Sequence, residues 1–182
     1  MKSNIGANML SVLLLSGMLA GPAAAQEATT DTGPSTLSET YESWTVQCAK
    51  TTANGQTTRN CQMSQELLQP ESRQRVLLFA IAPKQGEGAT KATLVMPFGL
   101  LLSEGLRIEA ADKELLRGTF RTCMPGGCIS EVDLSDDLIK QLQATEKMTV
   151  VMTANDGQVV RTDVSLKGFS AAYRRLLTLT AS

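Results

Sequence analysis

Short stretches of alternating apolar and polar residues follow one another along most of this chain. In the first stretch, Trp44, Val46 and Cys48 share one face of a strand, and Thr45 and Gln47 share the other. Similar stretches occur at 59–65, 92–97, 106–110, 115–123, 128–134, 148–153 and 159–166, with turn residues such as Gly, Pro and Asn between them, and a further stretch of strand length occupies 75–81. Eight or nine short strands at this spacing are typical of a β-sandwich, so the pattern predicts an all-β fold.

Three segments depart from simple alternation. Residues 75–81 are apolar on both faces, which predicts a central strand. Residues 136–144 carry apolar residues at helical spacing after Ser135, a favoured N-cap residue, and residues 170–177 predict a second short helix at the end of the domain. The expected fold is therefore a sandwich with two short helices.

The first 25 residues have the features of a secretory signal peptide. Lys2 precedes an apolar run of about 12 residues and the small residues Ala23-Ala24-Ala25, so we expect cleavage after Ala25. The run is shorter than the roughly 20 apolar residues of a membrane-spanning helix, and no later stretch reaches that length. The sequence thus predicts an exported protein without a transmembrane segment, located in the periplasm, with the outer surface or secretion as alternatives.

The remaining chain divides at residue 40. Residues 26–40 are rich in Thr, Ser and acidic side chains, and such a segment buries too little apolar surface to offset the entropy lost on ordering. We predict a flexible segment over 26–40 and a single folded domain over 41–182.

Charge and composition exclude several classes of function. Of 17 basic and 18 acidic residues, only Lys2 lies in residues 1–25, so the rest of the chain has a net charge of −2 and no basic run. That balance argues against a nucleic-acid partner. The chain contains no histidine, which excludes Ser-His-Asp and Cys-His nucleophiles and His-ligated metals. The densest acidic groups, Asp136-Asp137 and the segment from Glu104 to Glu109, are interpreted as a helix start and the solvent side of a strand. We therefore predict no catalytic, cofactor-binding or metal-binding residues and no enzymatic activity.

Four cysteines in an exported chain predict two disulfides, for which three connectivities exist. Zinc ribbons use C-x2-C pairs, whereas Cys48 and Cys61 are separated by 12 residues and Cys123 and Cys128 by four, so a zinc site is disfavoured.

Turn signals favour two pairs within hairpins. Asn54-Gly55 predicts a hairpin that places Cys48 beside Cys61 on buried faces of adjacent strands. Pro125-Gly126 predicts a tight turn that brings Cys123 toward Cys128. Because Cys123 falls among the polar positions of its strand, we expect the second disulfide to lie near the surface, where thiol-disulfide exchange is a possible activity.

Two further segments have both a structural and a functional interpretation. Residues 98–102, which include Phe98, are either an exposed adhesive loop or a buried continuation of the preceding strand, and their periodicity favours the buried strand. Tyr173-Arg174-Arg175 is interpreted as a solvated helix end rather than a recognition patch.

Several motifs in order resemble one family of exported bacterial proteins, that of invasion-associated locus B. The resemblance implies an immunoglobulin-like β-sandwich, a periplasmic or surface location, and both cysteine pairs oxidised as structural bridges. The family is named after a locus linked to host-cell entry. The motifs are Trp44-Thr45-Val46-x-Cys48, Cys61, Met96-Pro97-Phe98-Gly99 with Leu102 and Gly105, Cys123-x4-Cys128, and Val164-Ser165-Leu166-x-Gly168-Phe169-x3-Tyr173.

The expected function is therefore that of a non-catalytic envelope or surface protein that binds another protein, in host-cell invasion, adhesion or envelope assembly. The resemblance carries over no catalytic or cofactor residue. The partner and the oligomeric state are left open, and thiol-disulfide exchange at Cys123 and Cys128 is the alternative.

Overall fold

The computed structural model describes residues 35–84 and 89–181 of the chain. Most of these residues lie in strands, and two helices and one short 3-10 turn (Leu102–Glu104) complete the regular structure. The strands are β1 (Thr36–Tyr41), β2 (Trp44–Ala53), β3 (Gln56–Leu68), β4 (Arg75–Ala82), β5 (Thr90–Met96), β6 (Leu106–Ala110), β7 (Lys113–Gly118), β8 (Phe120–Met124), β9 (Gly127–Leu134), β10 (Lys147–Thr153) and β11 (Val159–Ser165), and the helices are α1 (Asp136–Gln143) and α2 (Phe169–Thr180).

The strands form two antiparallel sheets that pack as a sandwich, which confirms the predicted fold class. The larger sheet has the order β1-β2-β3-β4-β5-β9-β8, and the smaller has the order β11-β10-β6-β7. The strand predicted to be central, β4, is the middle strand of the seven. The described residues contain 11 strands rather than eight or nine, for two local reasons.

The first reason is an additional strand at the start of the domain. Thr36–Tyr41 pairs with β2 along its whole length, with Leu37 opposite Cys48 and Tyr41 opposite Trp44. Leu37, Glu39 and Tyr41 alternate as half-buried positions, so a period-two pattern is present among the polar residues. The prediction that residues 26–40 are flexible is therefore wrong for 36–40, and the folded domain begins before residue 41. The predicted signal peptide and residues 26–34 lie outside the described residues.

The second reason is a change of sheet at residue 119, within what the sequence predicts as one strand. β7 ends at Gly118 in the smaller sheet, and β8 begins at Phe120 in the larger sheet. The buried Ser130 hydroxyl donates a hydrogen bond of 2.8 Å to the Thr119 carbonyl between them. A Cβ on Gly118 would lie 2.7 Å from Val132 Cγ1 and 2.9 Å from Ser130 Oγ, so a larger residue would force these side chains to shift.

An aromatic cluster forms the part of the core that α2 covers. Trp44 makes edge-to-face contacts with Phe79 at 5.9 Å and Phe169 at 5.2 Å between ring centroids. Phe169 stacks in turn on Tyr173, whose hydroxyl lies 3.4 Å from that of the buried Thr90. α2 packs over β1, β2 and β3. It therefore covers the part of the larger sheet's inner face that the four-stranded sheet does not cover.

The two sheets are joined at Ser165, the last residue of β11. Its carbonyl accepts hydrogen bonds from Trp44 Nε1 at 2.9 Å and Gln65 Nε2 at 2.8 Å, and its N–H donates to Gln65 Oε1 at 3.1 Å. The buried amide of Gln65 therefore satisfies both backbone groups of Ser165, as a neighbouring strand would. Gly168 follows with φ +81°, and a Cβ there would collide with the Tyr41 carbonyl oxygen, so the chain passes close to the β1–β2 turn.

An ion pair attaches α2 to the edge strand β1. Arg175 donates two hydrogen bonds of 2.8 Å to the carboxylate of Glu39, and the Tyr41 hydroxyl donates a third at 2.8 Å. The Arg175 hydrogen bonds, followed by that from Tyr41, lower the pKa of Glu39 to about 2. The interpretation of residues 173–175 as a solvated helix end is thus wrong for two of its members, since Tyr173 is buried and Arg175 is paired.

We expect Gln65→Leu to destabilise the domain. The Ser165 N–H loses its hydrogen-bond partner at a partly buried junction, and an unsatisfied buried group costs about 1–3 kcal/mol. Gln62→Leu is the matched control, since Gln62 lies on the exposed face of the same strand and should change the free energy of unfolding by less than about 0.5 kcal/mol. Urea unfolding with the disulfides intact measures both variants, and equal stabilities would contradict the role of Gln65.

The Glu39–Arg175 pair should make stability depend on acid pH. Because folding lowers the pKa of Glu39 from 4.5 to about 2, its contribution is fully present above about pH 4.5 and is lost as the pH falls toward 2. Glu39→Gln should therefore have a lower urea midpoint than the parent at pH 7, and the gap should close between these two values. Glu71→Gln, in an exposed loop, is the control for removal of a carboxylate. A gap of constant size down to pH 2 would contradict the assignment.

Candidate interaction surface

The segment between β5 and β6 is an exposed loop, so the prediction of a buried strand over 98–102 is wrong. Phe98 is 61% exposed and Leu102 is 44% exposed. Gly99 has φ +86°, which ends the strand conformation, and Leu100 then makes a single bridge to Ala154. The segment connects the larger sheet to the smaller sheet. It is therefore not flanked by two strands, as a central strand is, and its apolar residues are not covered.

Three connections meet at this end of the sandwich. Met96, just before the loop, is opposite Cys128, which places the loop beside the β8–β9 turn. On the other side, Asn155 of the β10–β11 turn donates a hydrogen bond of 2.8 Å to the Gly99 carbonyl. Leu101 likewise donates to the Thr153 carbonyl at 2.9 Å. The loop therefore links the ends of both sheets.

Large exposed apolar side chains concentrate here. Six such side chains occur among the described residues, and five of them lie on the three connections or on the strand ends next to them. The sixth, Leu177, lies on α2 and is 42% exposed. We call the group of five the apolar end: Phe98 (61% exposed), Leu102 (44%), Met124 (56%), Val159 (62%) and Val160 (36%).

Three members of the apolar end were not predicted from the sequence. Val159 and Val160 are consecutive apolar residues at the start of a strand, so one of them must face outward, and this was the available signal. Met124 precedes Pro125 in a tight turn, a position at which side chains are usually exposed.

The Cys123–Cys128 disulfide braces the apolar end. The two cysteines are directly opposite each other in the β8–β9 hairpin, and Cys123 is exposed as predicted whereas Cys128 is buried. Gly127 has φ +132°, and a Cβ there would collide with the Met96 carbonyl oxygen, so the hairpin lies against the exit of β5. The disulfide thus fixes the turn that presents Met124.

The Cys48–Cys61 disulfide lies in the hydrophobic core. It joins directly opposed residues of β2 and β3, and both cysteines are buried. One groove of about 910 Å³ runs beside it, and the described side chains that line it include Arg59 and Lys84 but no carboxylate. None of these described lining residues offers a carboxyl group for acid-base chemistry.

The densest acidic groups of the sequence have structural roles. Glu109 accepts hydrogen bonds from Arg161 at 2.6 Å and Arg107 at 3.4 Å on the outer face of the smaller sheet. The Arg161 bond is the main cause that lowers the pKa of Glu109, so this carboxylate stays ionised and cannot act as a general acid near neutral pH. Asp136 and Asp137 lie in the first turn of α1, after the Ser135 hydroxyl that accepts from the Leu138 N–H at 3.2 Å.

The described part of the chain has neither a metal-binding cluster of side chains nor a membrane-spanning helix. Residues 35–84 and 89–181 contain no group of three or more Cys, Asp or Glu side chains arranged to hold a metal ion. No helix within these same ranges has the length and apolar character needed to cross a bilayer.

Comparisons with known proteins agree over most of the chain. Residues 44–177 match the family model described as invasion associated locus B protein. An invasion protein B homolog of Brucella abortus (strain 2308) is 37% identical over 149 residues, covering 81% of this chain and 83% of the relative. Invasion protein B of Bartonella bacilliformis is 33% identical over 156 residues, covering 84% and 81% respectively.

A crystal structure of an invasion associated protein B from Bartonella henselae has the same fold. Its TM-score is 0.70 at 26% sequence identity, and the match covers 80% of this chain and 97% of that one. The matched family model includes the aromatic core at Trp44, all four cysteines and the apolar end. This chain therefore belongs to the invasion associated locus B family.

Proposed function

We propose that this chain is an exported, non-catalytic protein of the cell envelope or cell surface that binds another protein through the apolar end. The observation that carries the proposal is the clustering of five large exposed apolar side chains on connections that meet at one end of the sandwich. Exposed apolar side chains are normal when scattered, but their concentration in one region often marks an interaction site.

The outer faces of the two sheets carry ion-paired or polar side chains instead. On the outer face of the smaller sheet, ion pairs join Arg161 to Glu109 at 2.6 Å and Lys147 to Asp163 at 2.9 Å. These charges neutralise one another locally. On the outer face of β2 and β3, opposed pairs such as Gln47 and Gln62 are polar and uncharged. Neither face combines apolar area with exposed loops as the apolar end does.

The proposed setting rests on two further supports. The predicted signal peptide over 1–25 favours export, with the periplasm or the outer surface as the location. The relatives named invasion protein B suggest a role in contact with host cells, or in the envelope assembly on which such contact depends.

The alternative function, thiol-disulfide exchange, has one observation in its favour and one against it. An external thiolate can reach Cys123, which is exposed. Attack at Cys123 would leave the thiolate on Cys128, however, and that residue is buried opposite Met96 of β5. An unpaired buried charge is costly, and a poor leaving group slows exchange, so the structure favours a structural disulfide.

Photocrosslinking in intact cells tests the binding proposal. A photoreactive residue fits at Gly126, in the turn between β8 and β9 close to Met124, because a Cβ there meets nothing within 4 Å. We expect a discrete adduct that the same probe at Arg174, on the exposed side of α2, does not form. Removing a residue central to an interface typically costs about 2 kcal/mol or more, so Phe98→Ser should weaken binding, and with it reduce the adduct yield, about 30-fold or more.

Leu177→Ser is the matched control, since it removes an exposed apolar side chain of the same chain away from the apolar end. Its adduct yield should equal that of the parent. If Phe98→Ser and Leu177→Ser had equal yields, or if the Gly126 probe gave no discrete adduct, the apolar end would not be the binding surface.

The exchange alternative has its own test. The folded protein should retain the Cys123–Cys128 bond in reduced glutathione, whereas the urea-unfolded protein should lose it under the same conditions, and the folded protein should not catalyse insulin reduction. Alkylation of new thiols followed by mass spectrometry measures the first two results. Rapid reduction of the folded protein together with insulin reduction would support thiol-disulfide exchange. It would contradict a purely structural role for the Cys123–Cys128 disulfide.

A further inference from the structure

We infer that Met124 is a specific oxidation site, at which peroxides convert the thioether to a sulfoxide and thereby make the apolar end more polar. In this reaction one peroxide oxygen is transferred to the Met124 sulfur, which is oxidised by two electrons. Hydrogen peroxide is reduced to water, and no bond of the chain is broken. The consequence for binding rests on the proposed function of the apolar end, whereas the site itself does not.

Burial separates Met124 from the other methionines of the domain. Five methionines lie in the described residues, and Met124 is 56% exposed. The other four are at most 2% exposed, so an oxidant in water reaches their sulfur atoms only when the core opens. These four are Met63, Met96, Met148 and Met152.

The local structure keeps Met124 in solvent. It pairs with Gly127 as the last pair of the β8–β9 hairpin, next to the disulfide pair Cys123 and Cys128. β8 is the edge strand of the larger sheet, so no further strand of the described chain covers it. The pairing of Met124 with Gly127 and the adjacent disulfide fix the backbone of this turn. The Met124 side chain therefore cannot move into the core unless the backbone changes.

Cysteine does not compete for the oxidant. All four cysteines of the chain are in disulfides, and the chain has no free thiol. The methionine sulfur is therefore the most readily oxidised exposed group at the apolar end.

Oxidation would change the surface that the proposed function uses. A thioether is flexible and apolar, and it suits irregular contacts with a partner. A sulfoxide is polar and must be desolvated on binding, which weakens an apolar contact. Dedicated reductases can return methionine sulfoxide to the thioether.

The first experiment maps the modification. The folded, disulfide-intact protein is treated with hydrogen peroxide and digested, and the gain of one oxygen is followed by mass spectrometry for each of the five methionines. We expect Met124 to react about tenfold faster or more than the other four, and the five rates to converge when urea unfolds the chain. Equal rates in the folded protein would overturn the inference.

The second experiment measures the change in apolarity without any partner. Hydrophobic-interaction chromatography on a butyl column should elute the peroxide-treated protein earlier than the untreated protein. Met124→Leu keeps an apolar side chain but removes the sulfur, so its retention should not change on treatment. If the mapped sulfoxide left the parent's retention unchanged, the proposed effect on the apolar end would be wrong. Neither experiment uses a partner. A negative crosslinking result would therefore contradict the binding proposal without contradicting the oxidation of Met124.

Discussion

The packing of this domain depends on the backbone of one residue, Ser165. It belongs to the smaller sheet, and side chains of the larger sheet form hydrogen bonds to it. Gln65 and Trp44, both from the larger sheet, provide three hydrogen bonds to the N–H and carbonyl of Ser165 at the end of β11. Because buried backbone groups must be satisfied, these bonds favour one position of the smaller sheet over the larger. Trp44 then contacts Phe169 just beyond Ser165, so the same junction sets where α2 begins.

This junction makes the two ends of the sandwich physically different. At the Ser165 end, hydrogen bonds, close glycine packing at Gly168 and the Glu39–Arg175 pair hold loops and helix together. At the opposite end, the chain passes between sheets through an exposed loop at Phe98, and apolar side chains remain in solvent. One end therefore provides stability, and the other provides apolar surface with which a partner can pack. The proposed function follows from that asymmetry.

Alternation along the sequence predicted the sandwich, the central strand and the two hairpins that carry disulfides, because those features depend on neighbours within about 15 residues. It did not predict the Glu39–Arg175 pair, whose members lie 136 residues apart. Nor did it assign a role to Gln65, although this polar residue shares the parity of the buried Cys61 and Met63. The apolar end was also missed in part, because a strand pattern cannot show which apolar face the other sheet leaves uncovered.

The two disulfides differ in what they can contribute. In the chain-entropy model, closing a loop of about 14 residues contributes about 3 kcal/mol, and closing one of about six residues contributes about 2 kcal/mol. Cys48–Cys61 thus combines the larger loop with a buried position. Cys123–Cys128 closes the shorter loop, in a hairpin whose strand pairing already holds the two cysteines opposite each other. The main effect of this disulfide is therefore local. It limits the motion of the turn that holds Met124 beside the Phe98 loop, and a surface fixed in this way loses less entropy when a partner binds.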